Sequence, residues 1–281
     1  MSDVRESGAL RFLYHTALGR VMLKLLSGRT VSRLSALYMD SPLSRPLIPS
    51  FVRKNGIDLS EYEAADYRCF NDFFTRQVRA ECRPISTEPG ALIAPCDGLL
   101  SAYHIREGLV LPVKQSRYSM DSLLDGDPVA AQYAGGVCLV FRLCVNHYHR
   151  YCYVDDGVKG ENIFIPGRLH TVRPIALEAT PVFTENCREY TVMETAHFGT
   201  VTQVEVGAML VGKIQNLHGA GRISRGAEKG RFLYGGSTII LLLEPDRVRL
   251  PEKLFRATEQ GVETPVRMGQ VLGRSAVAVG S

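Results

Sequence analysis

Apolar residues recur at helical spacing in the first third of the chain and at strand spacing afterwards, and the change falls near Pro84. Between residues 10 and 37, Phe12, Leu13, Leu18, Met22, Leu25 and Leu26 follow a helical period, with Arg11, Arg20, Lys24, Arg29 and Arg33 between them. Gly28 divides this run into two predicted helices. Pro42, Pro46 and Pro49 then mark a loop, and a second helical region is predicted over 59–78. Its Phe70, Phe73 and Phe74 read as a core-facing anchor.

After Pro84 the texture becomes short β-branched and aromatic runs separated by Gly, Pro and Asp. Strands are predicted over 98–104, 109–113, 137–143, 148–154, 160–165, 182–184, 189–195, 199–206, 208–214, 231–234 and 237–243, with one more turn and strand around 269–273. There is no regular strand–helix alternation, no repeat and no low-complexity tract. Helices first and strands afterwards predict an α+β fold. Residues 1–83 form an N-terminal helical region, and residues 84–281 form a largely antiparallel, β-rich domain.

Composition narrows the function classes. A chain of 281 residues can bury a large core, and 45% hydrophobic with 22% charged residues excludes a disordered protein. A net charge of +4 suits an anionic partner such as a lipid surface and falls short of a nucleic-acid binder. The basic amphipathic N-terminal run fits two readings about equally. It can lie on an anionic membrane, or pack its apolar face on the domain with its basic face in water. Seven scattered cysteines without a CxxC pair argue against a disulfide framework or zinc site and fit a reducing cytoplasm. No run approaches the roughly 20 apolar residues of a spanning helix. The first residues lack the charge pattern of a signal peptide.

Candidate chemistry lies in four segments. Tyr234-Gly235-Gly236-Ser237-Thr238 precedes the apolar run 239–243 and sets a hydroxyl beside an unhindered peptide bond; a hairpin turn is the common use of such a sequence. Pro95-Cys96-Asp97-Gly98 places a carboxylate in a tight turn. In the strand-like run 146–153 the period of two sets His147, His149 and Tyr151 on one face. His170 follows the turn at Pro166-Gly167. The two neighbouring imidazoles have no carboxylate or cysteine at metal-ligand spacing, so no metal site is expected. An Asp, a His and a Ser from separate segments can form a relay of orienter, base and nucleophile, although spacing does not say whether they meet. The GxSxG hydrolase motif is absent around Ser237, which leaves the preceding Gly236 carbonyl as the one most available to its hydroxyl.

These segments, in this order, resemble the phosphatidylserine decarboxylase family. The matching residues begin with 70–76 (Phe-Asn-Asp-Phe-Phe-Thr-Arg), 82–85, 95–98, Val113-Lys114, Tyr118-Ser119 and Tyr148-His149-Arg150-Tyr151. They continue with 165–172, 185–188, 211–214, 228–230 and Gly235-Gly236-Ser237-Thr238. The resemblance implies a proenzyme that cuts itself at the Gly236–Ser237 bond. Ser237 would attack the Gly236 carbonyl, with His149 as general base and Asp97 as its orienter. The resulting ester would eliminate to dehydroalanine and hydrolyse to a pyruvoyl group. Residues 1–236 become the β chain and 237–281 the α chain. The pyruvoyl group takes the role pyridoxal phosphate plays elsewhere, so neither pyridoxal phosphate nor a metal is expected. His149, then His147, is the candidate for protonating the product carbanion. Lys114, Arg188 and Lys213 are candidates for neutralising the substrate's phosphate or carboxylate, and His170 reads equally as substrate-facing or as a strand-end imidazole.

Three positions depart from the family pattern. Cys152 stands where some members have a second histidine, and His147 and Cys187 stand where acidic residues are frequent. The implied partner is phosphatidylserine in an anionic membrane surface, met peripherally on the cytoplasmic side; a homodimer is compatible with this, and nucleic acid is not expected. Two alternatives remain at this point: a pyruvoyl decarboxylase of a soluble amine-bearing metabolite, and a lipid-binding homologue that never matures.

Overall fold

A computed structural model of the chain describes residues 34, 36–113, 116–169, 184–207, 214–234 and 237–277. Nearly all of the basic amphipathic run and of the predicted strand 208–214 lies outside these residues, as do Lys114, His170, Lys213 and Gly236.

The helices are α1 (Leu47–Asn55), α2 (Phe70–Phe74), α3 (Met120–Leu123) and α4 (Glu252–Glu259). The strands are β1 (Ala91–Ile93), β2 (Gly98–His104), β3 (Leu111–Val113), β4 (Ser116–Tyr118), β5 (Val137–Leu143), β6 (Arg150–Cys152), β7 (Gly157–Lys159), β8 (Ile163–Ile165), β9 (Arg168–Leu169) and β10 (Thr184–Glu185). They continue as β11 (Arg188–Thr195), β12 (Gly199–Val206), β13 (Ile214–Asn216), β14 (Gly221–Ile223), β15 (Glu228–Phe232), β16 (Ser237–Leu243), β17 (Val248–Arg249), β18 (Thr264–Val266) and β19 (Val271–Ser275). The result is an α+β fold built on antiparallel sheets.

The main sheet runs β14-β7-β11-β12-β16-β5-β2-β18, with β8 also paired to β11. Strand β16 is buried at all seven positions because both of its faces carry core. On one face Leu139, Phe141, Leu143, Ile239, Leu241 and Leu243 join one apolar cluster. On the other, Cys138, Val140, Val204, Ile240 and Leu242 join a second. The uninterrupted Ile-Ile-Leu-Leu-Leu run records this two-sided burial. A smaller sheet, β13-β15-β6, lies beside the main one.

The predicted helix over 59–78 shrinks to α2, preceded by a single 3₁₀ turn at Leu59–Glu61. Residues 63–69 (Glu-Ala-Ala-Asp-Tyr-Arg-Cys) offer too few apolar side chains to cover a helical face. The segment instead doubles back, with Tyr62 bridging Val78 and the Glu63 N–H donating to the Gln77 carbonyl at 2.8 Å. Phe70, Phe73 and Phe74 are buried as an aromatic anchor. The anchor joins α1 to the segment just before β16, since Phe51 packs edge-on against Phe70 at 4.9 Å and Phe70 against Tyr234 at 5.1 Å.

Candidate active site

Strand register brings Ser237 and Asp97 to one end of the main sheet. Ser237 opens β16 opposite Leu143, the last residue of β5, and Thr238 lies between Arg142 and Val206. Leu99 of β2 also faces Arg142, so Asp97 enters the sheet at the same end. Gly98 permits this approach, because a Cβ there would sit 3.2 Å from the Arg142 carbonyl oxygen. Two anchors place the histidines. The Cys144 N–H, one residue past β5, donates to His147 Nδ1 at 3.0 Å, and the Phe232 N–H at the end of β15 donates to the His149 carbonyl at 2.9 Å. The Tyr234 N–H donates to Asn71 Oδ1 at 2.9 Å, tying the approach to Ser237 onto α2. Ser237, Asp97 and His149 are all buried.

The hydrogen bonds of the two imidazoles assign opposite tautomers. His149 Nδ1 lies 2.9 Å from the His147 carbonyl oxygen. A carbonyl only accepts, so Nδ1 carries the proton and Nε2 presents its lone pair. His147 Nδ1 receives an amide proton, so its neutral ring carries hydrogen on Nε2. Both rings favour the neutral form. Burial, reinforced by the nearby Arg76 charge, pushes His149 down to about 3. Burial also lowers His147, against an opposing pull from Asp97. Phe74 lies against His149 with ring centroids 3.9 Å apart.

Asp97 is held from three directions. Arg83 Nε donates to Oδ1 at 2.8 Å, Arg83 Nη2 to Oδ2 at 2.6 Å, and the Met268 N–H to Oδ1 at 2.9 Å. Among the described residues no hydrogen bond joins Asp97 to His149. Asp97 and His147 instead line the same cleft, of about 540 Å³, together with Arg83, Tyr62 and Arg267.

Arg188 opens β11 at this same end of the sheet, opposite Val206, which in turn faces Thr238. Its buried guanidinium donates to the Leu123 carbonyl at 2.7 Å and the Ser122 carbonyl at 2.6 Å, and stacks over Tyr118 at 5.1 Å. These contacts fasten Arg188 to the end of α3. Cys152, in the place of a family histidine, is buried in the core. Among the described residues no group of three or more His, Cys, Asp or Glu is arranged to hold a metal.

Sequence reasoning missed the two arginines beneath the site. Arg76 Nη2 reaches the carbonyls of Asn146 and His147 at 3.3 and 3.4 Å and so braces the histidine loop. Both Arg76 and Arg83 stand in segments that carry the family resemblance, yet an arginine among phenylalanines or before a proline has no motif chemistry of its own.

The phosphatidylserine decarboxylase family model matches residues 70–274. The chain is 42% identical over 271 residues to phosphatidylserine decarboxylase proenzyme 2 of Clostridium acetobutylicum, a match covering 96% of this chain and 93% of that protein. It is 39% identical over 279 residues to the phosphatidylserine decarboxylase proenzyme of Ruminiclostridium cellulolyticum, covering 97% of this chain and 93% of that one. The proenzyme of Clostridium novyi is 38% identical over 279 residues, with 97% and 95% covered.

Proposed function

The chain belongs to the phosphatidylserine decarboxylase family, and from that premise we propose that it cuts itself between Gly236 and Ser237 and then converts phosphatidylserine to phosphatidylethanolamine and CO₂. The observation that supports this reading is the register that sets Ser237 and Asp97 at one end of the main sheet, with His147 bonded to the residue that follows β5 there.

In the first step Ser237 Oγ bonds to the Gly236 carbonyl carbon and gives its proton to a base. His149 Nε2 supplies that lone pair, which burial keeps unprotonated at neutral pH. The His147 Nε2–H serves as a donor to the oxygen on which negative charge develops. The Gly236–Ser237 C–N bond breaks with protonation of the leaving amine, giving an ester. Loss of the Ser237 α-proton then expels the Gly236 carboxylate, and hydrolysis of the dehydroalanine releases ammonia. The surroundings fit the resulting pyruvoyl group, because Ser237 begins a fully buried strand and a carbonyl in its place is held at the sheet's end. That carbonyl supplies the electron sink for the breaking C–CO₂ bond.

The cleft that Asp97 shares with His147 favours His147 as its nearer partner. The N-terminal region, residues 1–83, docks on an anionic membrane at the cytoplasmic face. Exposed Leu43 and Leu47 beside Arg45, Arg53 and Lys54 support this, and no described helix is long and apolar enough to cross a bilayer. Liposomes of phosphatidylserine, mixed with purified protein, test the substrate. Phosphatidylethanolamine and CO₂ are expected from the wild type and neither from Ser237→Ala. Equal turnover of free serine or phosphoserine would move the assignment to a soluble metabolite.

A further inference from the structure

Asp97 has little freedom of its own. A carboxylate offers about four lone-pair directions. Arg83 Nε and the Met268 N–H take two on Oδ1, and Arg83 Nη2 takes one on Oδ2. One acceptor direction on Oδ2 remains for a histidine.

Arg83 is itself pinned. Its Nη1 donates to the Cys82 carbonyl at 2.8 Å and its Nη2 to Glu61 Oε2 at 3.0 Å, while Glu61 Oε1 pairs with Arg267 at 3.1 Å. The inner pair is shielded from water, with side chains 4% and 7% exposed, so solvent screens it little. Arg267 is 64% exposed and contributes least. The clamp draws Glu61 and Arg83 from the N-terminal region, Asp97 from the turn before β2, and Arg267 and Met268 from the segment after Ser237.

We propose that Arg83 is a positioning residue for self-cleavage. It aims the one remaining acceptor direction of Asp97 at the imidazoles, with Glu61 holding Arg83 in turn. The claim rests on the reading that Asp97 serves cleavage at Gly236–Ser237. A bidentate guanidinium fixes both carboxylate oxygens at once, which a lysine ammonium cannot do.

The test follows cleavage of freshly made precursor by electrophoresis, with thermal melting as the check on folding. Arg83→Ala is expected to slow cleavage at least about tenfold, the effect of losing a charge-assisted contact at a reacting group. Millimolar guanidinium ion is expected to restore part of the rate to Arg83→Ala and none to Asp97→Asn. Arg83→Lys is expected to fall between wild type and Arg83→Ala, and Glu61→Gln to slow cleavage only about twofold to threefold. Cleavage of Arg83→Ala at the wild-type rate overturns the proposal, and so does slowing that guanidinium fails to relieve. If Arg83→Ala does not fold, Arg83→Lys decides: slowed cleavage with an unchanged melting temperature supports positioning, and a wild-type rate overturns it. A wild-type chain that never cleaves refutes the proposed function itself, independently of Arg83.

Discussion

Replacing Lys229 by Met tests how the strand that begins at Ser237 is supported from beneath. Lys229 and Glu205 are completely buried. All three ammonium hydrogens are used, on Glu205 Oε1 at 2.8 Å, Glu205 Oε2 at 2.9 Å and Asn216 Oδ1 at 2.9 Å. Glu205 faces Ile239, two residues into β16, so the pair underlies the start of that strand. Burial raises the Glu205 pKa even with Lys229 present. The folded state therefore binds this proton more tightly than the unfolded chain, and the contribution of Glu205 to stability falls as pH rises. Without Lys229 the carboxylate either stays charged, at about 3–5 kcal/mol for a broken buried pair, or takes up a proton. The ordinary glutamate pKa lies roughly 2.7 units below pH 7, and each unit is worth about 1.4 kcal/mol, so protonation caps the loss near 3.7 kcal/mol. At pH 5 the same cap is only about 1 kcal/mol. Urea unfolding in the uncleavable Ser237→Ala background keeps the sample a single species. Lys229→Met is expected to lose about 3–4 kcal/mol at pH 7 and about 1 kcal/mol at pH 5. A loss independent of pH, or one below about 1 kcal/mol at pH 7, would refute the reasoning.

The remaining predictions concern the site directly. His149→Gln should stop self-cleavage, and wild-type cleavage should hold its rate down to about pH 5, because burial pushes His149 down to about 3 and its lone pair is available at every pH above that. A rate that collapses around the ordinary imidazole value of about 6.5 contradicts this role. Asp97→Asn should slow cleavage on the order of a hundredfold and also lower the melting temperature, because it breaks the buried pair with Arg83, read by electrophoresis and calorimetry. Phe74→Ala removes the ring that lies 3.9 Å from His149 and 5.3 Å from Tyr234. It should cost about 3–5 kcal/mol in denaturant unfolding and slow cleavage, with Phe74→Leu milder in both.

Much of the sheet was legible in the chain because its strands obey local rules. The alternating or wholly apolar runs at 98–104, 137–143, 199–206 and 237–243 appear as β2, β5, β12 and β16 with the predicted bounds. The helix over 59–78 was misjudged because its three phenylalanines suggested a long helix, whereas the sparse apolar residues before them let the segment double back. At the site, Asp97, His147, His149 and Ser237 were visible as chemistry, but where each lies depends on strand register and loop contacts, which spacing does not encode. The partners of those residues were hidden for the same reason. Arg83 reaches Asp97 across fourteen residues, and Lys229 reaches Glu205 from another strand. The contacts of Arg188 were equally hidden, since its guanidinium donates to carbonyls at the end of α3, distant in sequence.

The Gly236–Ser237 bond carries the central claim, and the intact masses of the purified protein's chains test it most directly. The account predicts two pieces, the smaller spanning residues 237–281, with an N-terminus that resists stepwise sequencing and reacts with a carbonyl reagent such as phenylhydrazine. A single uncut chain after prolonged incubation, or a cut at any other bond, would contradict it.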